Sequence, residues 1–419
     1  MFEAILREAR PVGADWRVWR HLAPPGERLV ASGSPSTAGV LIIRPKPPPG
    51  GITRNPDFMN ASLFQPRLHL SILMLATTLA TSLTATAAQA ANAGITRLAI
   101  PYLSTRIDTV IWYPSDAPEQ AVGAGPFQPI AAPDGPFSAN IGLPLPLPLP
   151  LLLLSHGTGG MNLNHHPIAT ALARAGYIVA APTHPGDNFR DRSLMADERY
   201  FVERPRQASA VIDALLASPV WGPRIDAARI GALGHSAGGY TVAALAGARP
   251  DRDRLVAHCQ AGTGDPACRY GDPGVGVQST DGGAAFVLPA GERDHEPVRD
   301  DRVRAVLMFA PLGAVIAPDS LRDLPVRIAM VGAEHDEVLG RQWHHDWLAA
   351  QLPQGASRLA PGAGHFAFIA PAQVQWRAQL GEVAIDPPGF DRAAFQQTLS
   401  VETVRFFDEA LPGGRDERR

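Results

Sequence analysis

Five short apolar runs constrain this chain more than any other feature. They read LLLLS at Leu151–Ser155, YIVAA at Tyr177–Ala181, RIGAL at Arg229–Leu233, AVLMFA at Ala305–Ala310 and RIAMV at Arg327–Val331. Runs this short and this continuous suit strands covered on both faces, as in a parallel sheet. Helix-spaced patterns lie among them. Pro167–Ala175 is one, and Arg206–Ala217 carries Val211, Ile212, Leu215 and Leu216 on one stripe. Ala237–Gly247 is a small-residue helix, and Gln342–Leu352 and Arg392–Leu411 follow. Strands alternating with helices predict an α/β fold: a mostly parallel central sheet with helices on both faces.

Two stretches precede that core, and a third interrupts it. DTVIWYP at Asp108–Pro114 reads as an early strand. LPLPLPLP at Leu143–Pro150 is expected to be an extended surface lead-in, because each proline lacks a ladder donor. Pro250–Asp301 is dense in Asp, Gly and Arg, with only AAFVL at Ala284–Leu288 as a strand-like piece. About fifty residues without period inside an α/β domain predict an insertion. Its place, between the helix after Ser236 and the next core strand, puts it over the C-terminal sheet edge as a lid. The lid also holds Cys259 and Cys268, the only two cysteines of the chain. We expect them to pair if the chain is exported.

Export is the expectation from the N-terminal third. Leu68–Leu83 reads LHLSILMLATTLATSL, with Arg67 before it and Ala88-Gln89-Ala90 after a run of small residues. A basic flank, an apolar stretch and an A-x-A site make a secretory signal peptide over residues 59–90, with Met59 as a natural start. The rival, a membrane anchor, fits less well: the stretch is short, rich in Thr and Ser, and no basic cluster follows it. Residues 1–58 show no clear period and are expected to be a disordered extension or a mis-assigned start. The domain is then residues 91–419, periplasmic or secreted, with no stable membrane insertion after cleavage. The formal charge of −3 offers no electrostatic footprint for nucleic acid. Nothing here speaks to oligomeric state.

The chemistry concentrates at Gly234-His235-Ser236-Ala237-Gly238, a G-x-S-x-G sequence that follows a strand and opens a helix. In such an elbow the serine sits on a sharp turn with its hydroxyl exposed, and its neighbours must be small. A serine hydroxyl is a weak nucleophile and needs a base, itself oriented by an acid. In this chain order the acid comes next and the base last. Asp336 lies in VGAEHDEV directly after the RIAMV run, with Glu334 and Glu337 as rivals. His365 lies in PGAGHFAF, on a glycine-flanked loop late in the chain. His335 would point away from Asp336 in an extended loop, and His344 and His345 fall in a helix pattern as expected surface residues.

The tetrahedral intermediate needs fixed donors for its oxyanion. The backbone N–H of Ala237, at the start of a helix, is one candidate. The second is the N–H of Thr158, with Gly157 as the alternative, in Ser155-His156-Gly157-Thr158-Gly159-Gly160. His156 reads as a buttress of that loop rather than a catalytic group. Metal binding is the competing use for 13 histidines. The pairs His165-His166 and His344-His345 are adjacent and do not share a helix face. With no HExxH, no Cys/His ligand spacing, no P-loop and no GxGxxG after a strand, neither a metal nor a cofactor is expected.

Taken together these motifs resemble the α/β-hydrolase superfamily. More narrowly, they look like predicted dienelactone hydrolases allied to platelet-activating-factor acetylhydrolases. The resembling pieces are WYP at Trp112–Pro114, SHGTGG at Ser155–Gly160, AGYIVAAPTHPGD at Ala175–Asp187, RIGALGHSAGGY at Arg229–Tyr240, the Asp336 loop and GHFAF at Gly364–Phe368. The resemblance implies hydrolysis of a small carboxylic ester through Ser236, Asp336 and His365. Dienelactone hydrolases carry cysteine at the elbow, and serine here favours ordinary esters. An amide or thioester hydrolase with the same triad, and a non-catalytic binding protein on the same scaffold, stand as alternatives.

Overall fold

The computed structural model describes residues 91–138, 148–197, 199–269, 296, 298–322, 324–353 and 356–413. The expected signal peptide, residues 1–58 and the AAFVL piece of the lid lie outside them.

The described strands are β1 (Asn92–Tyr102), β2 (Thr105–Ser115), β3 (Gln120–Ala121), β4 (Ile130–Pro133), β5 (Leu149–Ser155), β6 (Ile178–Thr183), β7 (Ile225–His235), β8 (Val303–Phe309), β9 (Arg327–Ala333) and β10 (Ser357–Ala360). The helices are α1 (His166–Arg174), α2 (Tyr200–Ala217), α3 (Ala237–Ala246), α4 (Arg252–Gln260), α5 (His345–Ala349), α6 (Arg377–Leu380) and α7 (Arg392–Ala410).

The strands form one sheet in the order β10-β9-β8-β7-β5-β6-β2-β1-β4-β3. From β10 to β6 every pairing is parallel, and β2 joins β6 antiparallel. This is the mostly parallel α/β sheet expected from the alternation of runs. The chain leaves β5 for β6 on one side and returns to β7 on the other. Strand order therefore reverses around β5, the place where ligands bind in open α/β sheets.

All seven residues of β5 are buried. Leu149, Leu151 and Leu153 face one apolar core with Val211, Ile212 and Leu215 of α2 and Tyr240 and Val242 of α3. Leu152 and Leu154 face the other core, with Ile168 and Leu172 of α1 and Leu399 and Phe407 of α7. The period of two along the strand thus divides its side chains between two helix layers. That double cover is why the strand reads as an unbroken apolar run.

Two expectations need correction. The lead-in was expected to stay outside the sheet through Pro150, yet Leu149 and Pro150 belong to the central strand β5. The ladder to β7 shifts register between Pro150 and Leu151. The irregularity accommodates the proline, which has no N–H to donate. In addition, β1 went unread, although it pairs with β2 over its full length. Its burial alternates only in part, so its pattern on the page is weak.

Candidate active site

Parallel strands point their C-terminal ends the same way, and four of those ends carry the residues of interest. β5 runs into the Ser155–Gly160 loop, β7 into Ser236, β9 into the loop of Asp336, and β10 into the loop of His365.

Ser236 turns the chain from β7 into α3 with φ 57° and ψ −120°. A non-glycine residue with positive φ is uncommon, and its cost persists only where the surroundings hold it. Its backbone N–H donates to Phe309 O at 2.9 Å, and its carbonyl accepts from Leu312 N at 3.0 Å. The turn is so tight that a Cβ on Gly238 would lie 2.1 Å from Ser155 O, and one on Gly234 2.3 Å from Gly238 O. Both positions must be glycine. Ser236 is 9% exposed.

His365 Nδ1 and Asp336 Oδ2 are 2.9 Å apart. Asp336 Oδ1 accepts from the N–H groups of Val338 and Leu339, at 3.0 and 2.7 Å. The carboxylate is thereby fixed in its own turn, and it fixes the imidazole with Nδ1 as the donor. Nε2 is left as the basic nitrogen. Of the rivals, Glu337 accepts from the His365 backbone N–H at 3.0 Å, and Glu334 accepts from Gly362 N at 2.7 Å. Both carboxylates brace the histidine loop without touching its ring. His335 is exposed.

The elbow and the histidine loop meet through His235. Its Nε2 lies 3.0 Å from the backbone carbonyl of His365, and the two rings are 4.7 Å apart. Residue 365 thus packs directly against the neighbour of Ser236. Among the described residues no hydrogen bond joins the Ser236 hydroxyl to His365. Such bonds commonly tighten only once substrate is present.

Beside the elbow, Gly160 N donates to Gly157 O at 3.0 Å, closing a turn with Gly159 at φ 66°. That is the position where a type II turn requires glycine. Gly157 faces Ser236: a Cβ there would lie 3.1 Å from the Cβ of Ser236. Thr158 Oγ1 is 3.0 Å from the hydroxyl of Tyr200. Ala237 occupies the first turn of α3, where the N–H has no intrahelical acceptor. Leu194, Tyr200 and Ala237 form a small apolar cluster of their own beside this turn.

A fully buried polar network underlies the loop, and it was not read from the sequence. Arg204 and Asp187 form an ion pair with 0% exposure on both sides. Ser155 Oγ and His184 Nε2 are 2.9 Å apart, and His184 Nδ1 lies 2.9 Å from Gln207 Oε1. This second serine–histidine pair is no rival to Ser236, because both residues are sealed from solvent and a neutral amide, not a carboxylate, orients the imidazole. Burial, with the Arg204 charge beside it, holds His184 neutral. His156 also lies in this network: it accepts from His184 N at 3.1 Å, and burial and Arg204 push it down to about 3. It is buried against the loop, in line with its reading as a buttress.

The lid segment begins with α4, and Cys259 and Cys268 are joined in a disulfide. Asp265, inside that loop, takes hydrogen bonds from His258 at 2.8 Å and His344 at 2.9 Å, and from Gly340 N at 3.0 Å. His344 in turn accepts from Gly313 N at 3.0 Å. Burial favours the protonated carboxyl of Asp265, but the hydrogen bonds it accepts from His344 and His258 outweigh it and hold the group well below the usual carboxylate range. His344 and His345 were expected at the surface. Both are buried, the first by this contact with the lid and the second between Asp346 and Ser357. Among the described residues, His258, Asp265 and Cys268 are the group close enough to hold a metal ion. The Cys268 sulfur is consumed by the disulfide, and the carboxylate is already shared by two imidazoles, so the group reads as a clasp. No helix among the described residues is long and apolar enough to cross a membrane.

The sequence profile of the Alpha/beta hydrolase family matches residues 151–375, more than half of the chain. No curated protein matches the sequence. Among solved structures, a ferulic acid esterase from Streptomyces cinnamoneus is similar at 20% identity and a TM-score of 0.48. The match covers 78% of this chain and 93% of that one.

Proposed function

The chain belongs to the alpha/beta hydrolase family, and from that premise we propose that it is a serine esterase working through an acyl-enzyme. The observation that carries this reading is the 2.9 Å bond from His365 to Asp336, held against the residue that precedes a strained serine elbow. A binding protein on the same scaffold has no need of an oriented imidazole beside a strained serine.

In the first step Ser236 Oγ attacks the ester carbonyl while His365 Nε2 takes its proton. The carbonyl π pair moves to oxygen, and the N–H groups of Ala237 and Thr158 hold the oxyanion. Asp336 stabilises the imidazolium without accepting its proton. The C–O bond then breaks, and His365 protonates the leaving alcohol. In the second step His365 deprotonates water, which attacks the acyl-enzyme, and collapse returns the proton to Ser236 and frees the acid.

Serine rather than cysteine at the elbow favours ordinary carboxylic esters over dienelactone, within a group akin to platelet-activating-factor acetylhydrolases. The disulfide in the lid supports export to an oxidising compartment after cleavage of residues 59–90. Ser236→Ala tests the activity: turnover of p-nitrophenyl esters is expected to vanish while the thermal melt is kept. Full turnover in that variant rejects the proposal, and hydrolysis of amides or thioesters in preference to matched esters moves the chain to a different substrate class.

A further inference from the structure

The oxyanion donors proposed above come from two separate elements, the loop after β5 and the first turn of α3. One buried side chain touches the loop directly and reaches the helix turn through Thr241. Arg204, on α2, donates from Nη2 to the carbonyl of His156 and, at 3.3 Å, to the hydroxyl of Ser155. From Nε it donates at 3.1 Å to Thr241 Oγ1, and Thr241 donates at 2.8 Å to the carbonyl of Ala237. Its Nη1 meets Asp187 Oδ2. Asp187 completes the clamp from the far side of the loop: Oδ1 accepts from Gly159 N at 2.7 Å, and Oδ2 accepts from the Tyr200 hydroxyl at 2.7 Å. Tyr200 is the residue that meets Thr158 Oγ1.

We propose that Arg204, locked by Asp187, is a positioning residue that sets the gap between the Thr158 and Ala237 amides. This rests on the esterase reading of the site. The guanidinium is suited to the task because it is planar and holds its donors in a fixed fork. Its three nitrogens point to the loop, to α3 through Thr241, and to Asp187, so the distance between the two amides is set by one rigid group. A lysine keeps the charge beside Asp187 and has a single nitrogen with which to reach all three. Oxyanion donors act on the transition state, where the negative oxygen exists, and less on the ground-state carbonyl. A shift of the loop against α3 therefore lowers kcat and spares KM. It also leaves the His365–Asp336 bond alone, since neither residue touches the clamp.

The test compares wild type with Arg204→Lys, Thr241→Val and Ser236→Ala on p-nitrophenyl acetate, with active centres counted by a fluorophosphonate burst. Arg204→Lys is expected to lose about 10- to 100-fold in kcat per active centre with little change in KM. The Ki of a trifluoromethyl ketone, whose hemiketal oxyanion fills the same hole, should rise by a similar factor. The pH midpoint of the acid limb of kcat/KM should stay where it is. Thr241→Val is the milder variant, which cuts only the α3 side of the clamp. It should move kcat and Ki in the same direction by a few-fold, and it decides the matter if Arg204→Lys does not fold. Wild-type kcat and Ki per active centre in the folded variants overturn the proposal, as does a shifted pH midpoint. Turnover that survives Ser236→Ala rejects the esterase reading itself. Loss of turnover there, with unchanged Arg204→Lys and Thr241→Val enzymes, rejects the positioning role alone.

Discussion

His365 and Asp336 share a 2.9 Å hydrogen bond from which water is almost wholly excluded, the side chains being 2% and 5% exposed. They come from loops after neighbouring parallel strands, β10 and β9, so the sheet register sets their approach. Asp336→Asn keeps the shape and can present an N–H to Nδ1, favouring the wrong tautomer. If Asp336 orients the base as proposed, steady-state kinetics should show kcat lower by about a thousand- to ten-thousand-fold, with KM within a few-fold. Glu337→Gln, which touches only the backbone N–H of residue 365, should cost far less.

The elbow makes a stability prediction as well as a catalytic one. Gly238→Ala forces a Cβ to within 2.1 Å of the Ser155 carbonyl, next to the His156 carbonyl that Arg204 holds. No flexible side chain is there to yield. Equilibrium urea unfolding should show a loss of about 3 kcal/mol or more, the upper end for overpacking. Gly389→Ala, with open space around it, is strained only by its φ of 83° and should lose less.

Much of this site was legible because its residues announce themselves locally. Ser236 sits in a five-residue motif between a strand and a helix, and Asp336 and His365 each follow a short apolar run by a few residues. Asp187 also follows an apolar run, but Arg204 carries no such mark and nothing local pairs the two. They are 17 residues apart, one in the loop after β6 and the other on α2, and meet only once the chain is folded. His344 looked like a surface residue for the same reason, since its partner Asp265 is 79 positions away in the lid. Pro150 was misplaced because the rule against proline in central strands fails where the ladder shifts register. The apolar run identifies the strand but cannot show where the ladder slips.

Acid should destabilise the fold through its buried histidines. Burial pushes His156 down to about 3 and His165 to about 4, and holds His184 and His235 well below their ordinary value. These groups stay neutral when folded and gain a proton near pH 6.5 when unfolded. The unfolded state therefore binds more protons below that pH, so their stabilisation is complete above about 6.5 and is lost as pH falls toward 4. Each such histidine costs about 1.4 kcal/mol per pH unit within that window. The urea midpoint should drop steadily between pH 7 and 5.

Reduction should loosen the clasp before it loosens the sheet. The Cys259–Cys268 bond closes a short loop, nine positions apart, that presents Asp265 to His258, His344 and Gly340. Opening a loop of this size restores chain entropy worth about 2–3 kcal/mol, or about 100-fold in a local opening equilibrium. Amide exchange across residues 252–269 should accelerate by that order under dithiothreitol, while β5 and β7 stay protected.

The central claim is that Ser236 is the acylated atom's owner, and mapping a covalent adduct tests it most directly. Wild-type protein treated with a fluorophosphonate should carry one adduct, on the peptide containing Ser236, and Asp336→Asn should label much more slowly. An adduct on Ser155 or elsewhere, or ester turnover with Ser236 left unmodified, would contradict the account.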